Sequence, residues 1–234
     1  IGEDNAIYAL TTAFRRPSVM GVQDGKPANV ILITGPVGTG RHEAVSLLTK
    51  ECAEKHILKS DQVCTIDMSR YTSGSQEQVF LQDLYQALSS DGQIVCFEGF
   101  ESAFAGFNRM ITDLVTKGKV VLSRRYVLSQ GILVENQTGL VRNAVDSLSA
   151  DHKYLIFITT GKVSVIQDTF GAEFMYHVLD QVHFEPLTSE SCEKIIEHEC
   201  SEYIQKCQKQ LHIHVTVENE VKTWIDSSSD KTKG

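Results

Sequence analysis

Residues Gly35-Pro36-Val37-Gly38-Thr39-Gly40-Arg41-His42 follow an apolar run from Asn29 to Thr34. They have the spacing of a loop that wraps phosphate in backbone N–H groups. In the full pattern the second glycine is followed by a lysine, which reaches the β- and γ-phosphates, and by a Ser or Thr hydroxyl, which binds Mg²⁺. Gly35 and Gly40 keep that spacing, whereas Arg41 takes the place of the lysine and His42 that of the hydroxyl. Arg41 retains a positive charge, but its planar fork is larger than an ammonium and does not simply replace it. An imidazole is a poor ligand for Mg²⁺, which takes hard oxygen donors. The loop thus keeps the amides and helix N-terminus that attract an anion, without the side chains that handle a metal-bound triphosphate.

Such a loop acts only if a strand delivers it and a helix leaves it. The run 29–34 reads as a buried strand, and the stretch from about 40 to 55 as a helix. Short apolar runs at 62–67, 93–97, 153–159 and 182–184 alternate with helical patterns at 75–89, 101–117 and 163–179. This alternation predicts an α/β domain with a mostly parallel central sheet and helices on both faces. Between them, Lys119 to Asn136 reads as a hairpin. At the start, Ala6, Ile7, Leu10, Ala13 and Phe14 give residues 3–16 a helical stripe, which Pro17 is expected to limit. After Pro186, Thr188 or Ser189 can cap a helix with apolar positions from Cys192 to Leu211. His212 to Val217 then alternates as a strand would, before a last helix holding Trp224. Two units are expected: a large α/β nucleotide-binding-type domain over 1–187, and a small, truncated α+β lid over 188–234.

The net charge of −8 and pI near 5.5 argue against nucleic acid or a membrane surface as partner. The Arg15-Arg16 and Arg124-Arg125 pairs are too small to reverse that. Apolar runs stop well short of the roughly 18 residues of a membrane span, and the start does not read as a signal peptide. Six cysteines without a C-x-x-C pair read as core hydrophobes of a reducing, cytoplasmic compartment. His212 and His214 share a face, but without a nearby Cys or carboxylate pattern no metal site is expected. The first residue is Ile and the end is polar, which reads as a module excised from something longer.

Several segments match one family in order: Ile1-Gly-Glu-Asp-Asn-Ala-Ile7, the loop at 35–42, Ile66-Asp-Met-Ser-Arg-Tyr71, Cys96-Phe-Glu-Gly-Phe-Glu-Ser-Ala103, and Phe170-Gly-Ala-Glu-Phe-Met-Tyr-His-Val-Leu-Asp180 running into Phe184-Glu-Pro-Leu-Thr188. Together they resemble the second ATPase module of the Clp/heat-shock AAA+ unfoldases, over residues 1 to about 220. The resemblance implies a P-loop AAA+ domain, a small C-terminal lid, and assembly into a ring with ATP between neighbours. It also assigns roles that this sequence does not fill. The Asp-Glu pair that supports Mg²⁺ and positions the attacking water falls on Glu98 and Gly99. The sensor asparagine falls on Gly161, and the arginine finger on His177, with Ala172, Tyr176 and Leu179 at the flanking Pro, Asn and Asp positions. Thr72 to Gln78 holds no aromatic pore loop, and the lid's Gly-Ala-Arg motif is absent.

Phosphoryl transfer depends on positioning and on stabilising developing charge, and an arginine finger alone is worth roughly 10³ to 10⁵ in rate. If the losses at Arg41/His42, Gly99, Gly161 and His177 were half additive, the barrier would rise by about 10 kcal/mol, close to the uncatalysed rate. The expectation is a pseudo-ATPase module of a chaperone-like protein, acting through protein partners that include other AAA+ subunits or modules. ATP or ADP held weakly without Mg²⁺ and a pocket packed shut both remain compatible with the loop. The alternatives are a divergent but active Clp chaperone or unfoldase subunit, and a nucleotide sensor that binds without turnover.

Overall fold

A computed structural model describes residues 3–136 and 144–228. Ile1 and Gly2 of the opening motif, and the tail from residue 229, lie outside them. Five strands form one parallel sheet in the order β2 (Val63–Asp67), β3 (Ile94–Glu98), β7 (Tyr154–Thr159), β1 (Asn29–Thr34), β8 (Asp180–His183). β1 and β7 are buried at every position, as strands covered on both faces must be. Successive side chains go to opposite sides. Val30, Leu32, Leu155 and Phe157 enter the core beneath α3 (Glu77–Ser89) and α4 (Ala105–Lys117). Ile31, Ile33, Ile156 and Ile158 enter the one beneath α1 (Asp4–Met20) and α2 (Arg41–Glu54). The α/β class with helices on both faces is therefore as the alternating pattern predicts.

The expected hairpin is present as β4 (Lys119–Ser129) and β5 (Ile132–Glu135). Its turn places Gln130 and Gly131 at φ 51° and 82°, the left-handed pair that a tight hairpin requires. A third strand, β6 (Ala144–Ser149), pairs with the other edge of β4. It was not expected, because among its residues only Leu148 is fully buried.

Three expectations need correction. Pro17 does not end α1, which continues to Met20 with Pro17 buried inside it. A proline frees the carbonyl four residues earlier, here that of Ala13, and Asn29 Nδ2 donates to that oxygen at 2.8 Å. The tertiary partner thus replaces the missing helical donor. The pattern at 163–179 is not one helix but two, α5 (Val163–Phe170) and α6 (Ala172–His177), broken at Gly171 with φ 89°. Finally, residues 212–218 form no strand, and Ile213 is 49% exposed. Alternation makes a strand only where another edge can take its hydrogen bonds. The described C-terminal part is helical: α7 (Ser189–Lys206), a π-helical turn (Cys207–Leu211) and α8 (Asn219–Ser228). As the sequence indicates, Thr188 caps α7, its Oγ1 accepting from Ser191 N–H at 3.1 Å.

Candidate functional site

The parallel register brings the carboxyl ends of β2, β3, β7 and β1 to one rim, where open α/β sheets bind their ligands. Asp67 lies opposite Glu98, Glu98 opposite Ile158, and Thr159 opposite Thr34. The glycine loop leaves β1 at this rim. A Cβ on Gly35, at φ 145°, would sit 2.5 Å from the Phe184 carbonyl oxygen and 2.9 Å from its Cβ, so only glycine passes there. Thr39 Oγ1 donates to Pro36 O at 3.0 Å and closes the loop on itself. Gly40, left-handed at φ 79°, then turns the chain into α2. Spacing in the sequence therefore identified the loop, its strand and its helix.

The two residues after the loop are bonded to the neighbouring strand ends. Arg41 is 7% exposed, and its Nη1 donates to the carbonyl of Thr159, the last residue of β7. Burial pulls the guanidinium pKa down, and the nearby Glu98 carboxylate opposes that shift. His42 Nε2 is 2.7 Å from Glu98 Oε2 at the end of β3, with both side chains partly exposed. In a P-loop site the corresponding hydroxyl and acidic residue hold Mg²⁺ between them. Here an imidazole and one carboxylate meet directly, a donor set unlike the oxygen cage that Mg²⁺ takes.

An open cleft of about 570 Å³ lies beside this pair, with Arg41, His42, Asp67, Glu98, Glu101 and Thr159 among its lining residues. Gly99 also lines it, at φ 64°; a Cβ there would meet Asp67 Oδ1 and Ser69 Cβ, each at 2.9 Å. The two cleft carboxylates to which the sequence assigns no role are tied locally. Asp67 Oδ1 accepts from Ser69 N–H at 3.0 Å and from Ser69 Oγ at 2.6 Å, while Glu101 Oε1 accepts from Thr159 Oγ1. Gly161 lies two residues beyond β7, its N–H donating to Thr159 Oγ1 at 2.8 Å. His177 ends α6, its ring edge-on to that of Tyr176, and is not among the cleft residues. Asp67 lies within the matched segment 66–71, but the sequence gives it no role, and only the register of β2 against β3 brings it to this cleft.

On the other side of the loop a second cavity, of about 360 Å³, lies between α1, the start of α2 and α7. Gly38, Thr39 and Gly40 line it together with aliphatic Ile7 and Ile195. Three carboxylates, Glu3, Glu43 and Glu199, also face it. Glu3 is 9% exposed, and desolvation holds its carboxyl above the usual carboxylate range, helped by Glu185 and opposed by the Glu185 N–H.

Comparison with known proteins agrees with this geometry. No family profile matches the chain. Among curated proteins, the chaperone protein ClpB of Lactococcus lactis subsp. cremoris (strain MG1363) is 24% identical over 247 residues, covering 96% of this chain and 27% of that protein. ClpB of Enterococcus faecalis is 23% identical over 241 residues, with the same coverage. A mitochondrial relative, ClpB3 of Oryza sativa subsp. japonica, is 23% identical over 239 residues and 93% of the chain. Over nearly its whole length the chain is similar to a Clp AAA+ module of the ClpB chaperones. It spans about a quarter of the length of the ClpB chaperones it matches. The ClpB-like module thus has its parallel sheet, its glycine loop and its flanking helices where a P-loop site needs them, and an arginine and a histidine bonded across the rim. Among the described residues no helix is long and apolar enough to cross a membrane.

Proposed function

We propose that this ClpB-like module works by binding and assembly, as a pseudo-ATPase with weak or no nucleotide binding and no efficient ATP hydrolysis. The observation that carries the reading is that both residues after the glycine loop are engaged by strand ends: Arg41 with the Thr159 carbonyl and His42 with Glu98. The place of the water-positioning carboxylate is Gly99, whose left-handed backbone and crowded Cβ direction disfavour any side chain. These residues do not fit a Mg²⁺-bound triphosphate. The sequence differences at Gly161 and His177 point the same way, since each removes a group that would otherwise gather charge around the transferred phosphoryl.

In this reading the domain over 1–187 presents the interaction surface and the unit from 188 onward packs as its lid. The partners are proteins, including other AAA+ subunits or modules of the parent chain or of a complex, in a reducing, cytoplasmic setting. The names of the relatives are those of chaperones, which agrees with protein partners. A second reading has one observation in its favour. The cavity lined by Gly38, Thr39 and Gly40 also has Ile7, Leu47 and Ile195 in its wall, a partly apolar site beside the glycine loop that suits a sensor holding ATP or ADP without turnover, although Glu3, Glu43 and Glu199 oppose an anion there.

Two measurements test these readings: phosphate release by the purified chain, and thermal unfolding with and without millimolar ATP or ADP. The pseudo-ATPase reading expects no release above background and little or no shift in midpoint. A midpoint raised by nucleotide without release selects the sensor, because a ligand of the native state stabilises by mass action. Sustained release that disappears in Arg41→Ala would establish the divergent active ATPase instead.

A further inference from the structure

We propose that Arg41 is an internal tether, binding the start of α2 to the end of β7, so that the glycine loop is held in one arrangement by the chain itself where a P-loop is held by its ligand. This rests on the reading above that the site does not turn over Mg·ATP.

The position of Arg41 is electrostatically unfavourable unless something compensates it. It is the first residue of α2, and a helix N-terminus carries partial positive charge that repels a cation. It is also buried, and a buried charge must be compensated. In a phosphate-binding loop the anion does this. Here the compensation comes from within the chain: the Thr159 carbonyl accepts from Nη1, and Glu98 supplies the nearby negative charge.

The anchor is itself held. Thr159 Oγ1 donates to Glu101 and accepts from Gly161 N–H, so the end of β7 and the turn after it are tied together. Between the two contacts made by residues 41 and 42, burial decides which carries the tether. The His42–Glu98 pair is 54% and 33% exposed, and such surface pairs contribute little. A charge-assisted bond to a buried guanidinium contributes more and costs more to break. Any anion entering the loop must therefore compete with a contact already made.

Hydrogen–deuterium exchange on the whole chain tests this, comparing the parent with Arg41→Gln and His42→Gln, each with and without millimolar Mg·ATP. Arg41→Gln is expected to speed exchange at residues 35–46 by at least about tenfold, the effect of losing one charge-assisted bond, while α4 exchanges as before. His42→Gln is expected to change the same peptides much less. Should Arg41→Gln fail to fold, Arg41→Lys, which keeps the charge but not the fork, is expected to speed the same peptides. Unchanged exchange at 35–46 in the folded Arg41 variant, or loss spread equally to α4, overturns the tether. So does parent protein whose 35–46 peptides become protected only when Mg·ATP is added. Phosphate release measured on the same samples judges the pseudo-ATPase reading separately, since a tethered loop and an absent turnover are read by different signals.

Discussion

Restoring the carboxylate that the Clp resemblance places at residue 99 is the direct challenge to the proposed function, and the structure says what Gly99→Glu should do. Gly99 sits at φ 64°, ψ 17°, in the left-handed region that costs a non-glycine residue about 1–2 kcal/mol. Its added Cβ would lie 2.9 Å from both Asp67 Oδ1 and Ser69 Cβ and 3.0 Å from Ser69 N, which are held by the Asp67–Ser69 hydrogen bonds. Forcing that turn to shift costs about 1–3 kcal/mol more. A fourth carboxylate would also join Asp67, Glu98 and Glu101 at the cleft. The sum is about 2–5 kcal/mol of stability lost, or roughly 4–20 °C in Tm for a chain of this size. Gly99→Ala carries the backbone and Cβ parts alone and should account for most of the loss. Urea unfolding and scanning calorimetry measure it, alongside phosphate release by both variants. A Gly99→Glu protein as stable as the parent would refute the steric argument. One that releases phosphate steadily would refute the claim that residues 41 and 42 also lack what hydrolysis needs.

Other expectations follow from single contacts. Asn29→Leu removes the donor that replaces Pro17's missing N–H at Ala13 O and also the 2.8 Å bond to Asp180 Oδ2, at about 1–3 kcal/mol by urea titration. Pro17→Ala restores a helical donor to Ala13, so the double variant should lose less than the two single losses added. Phe157 stacks on Phe97 at 5.1 Å and meets Phe174 edge-on at 4.9 Å, so Phe157→Ala should cost about 3–5 kcal/mol in the same titration. Glu3 has a carboxyl pKa raised on folding, so its contribution is most favourable at acid pH and is lost as pH rises through the folded value. Glu3→Gln should accordingly be the more stable protein at neutral pH, and a thermal-melt series should show the gap closing as pH falls toward the ordinary carboxylate range.

The sequence by itself determined the class of fold, because that depends on local quantities. Continuous apolar runs at 29–34 and 153–159, too short for helices of ordinary length, read as strands covered on both faces, and both strands are buried throughout. The spacing of Gly35 and Gly40 likewise located the loop, since left-handed backbone and close passage over Phe184 leave room for nothing larger at Gly35. The positions at which the sequence departs from the Clp pattern, Arg41, His42, Glu98, Gly99, Gly161 and His177, were also legible one at a time.

Tertiary structure alone decided what those residues do instead. Nothing local says that Arg41 turns to a carbonyl 118 residues away, that His42 meets Glu98, or that Asp67 reaches the same cleft. Pro17 remained helical because Asn29 reaches Ala13, a contact invisible to propensity. Residues 212–217 alternate as a strand does, yet take no part in a sheet. The physical reason is common to all of these. A side chain's type sets how many hydrogen bonds and how much burial it requires, but the partner that meets the requirement is chosen by which chain ends the sheet register brings to one rim.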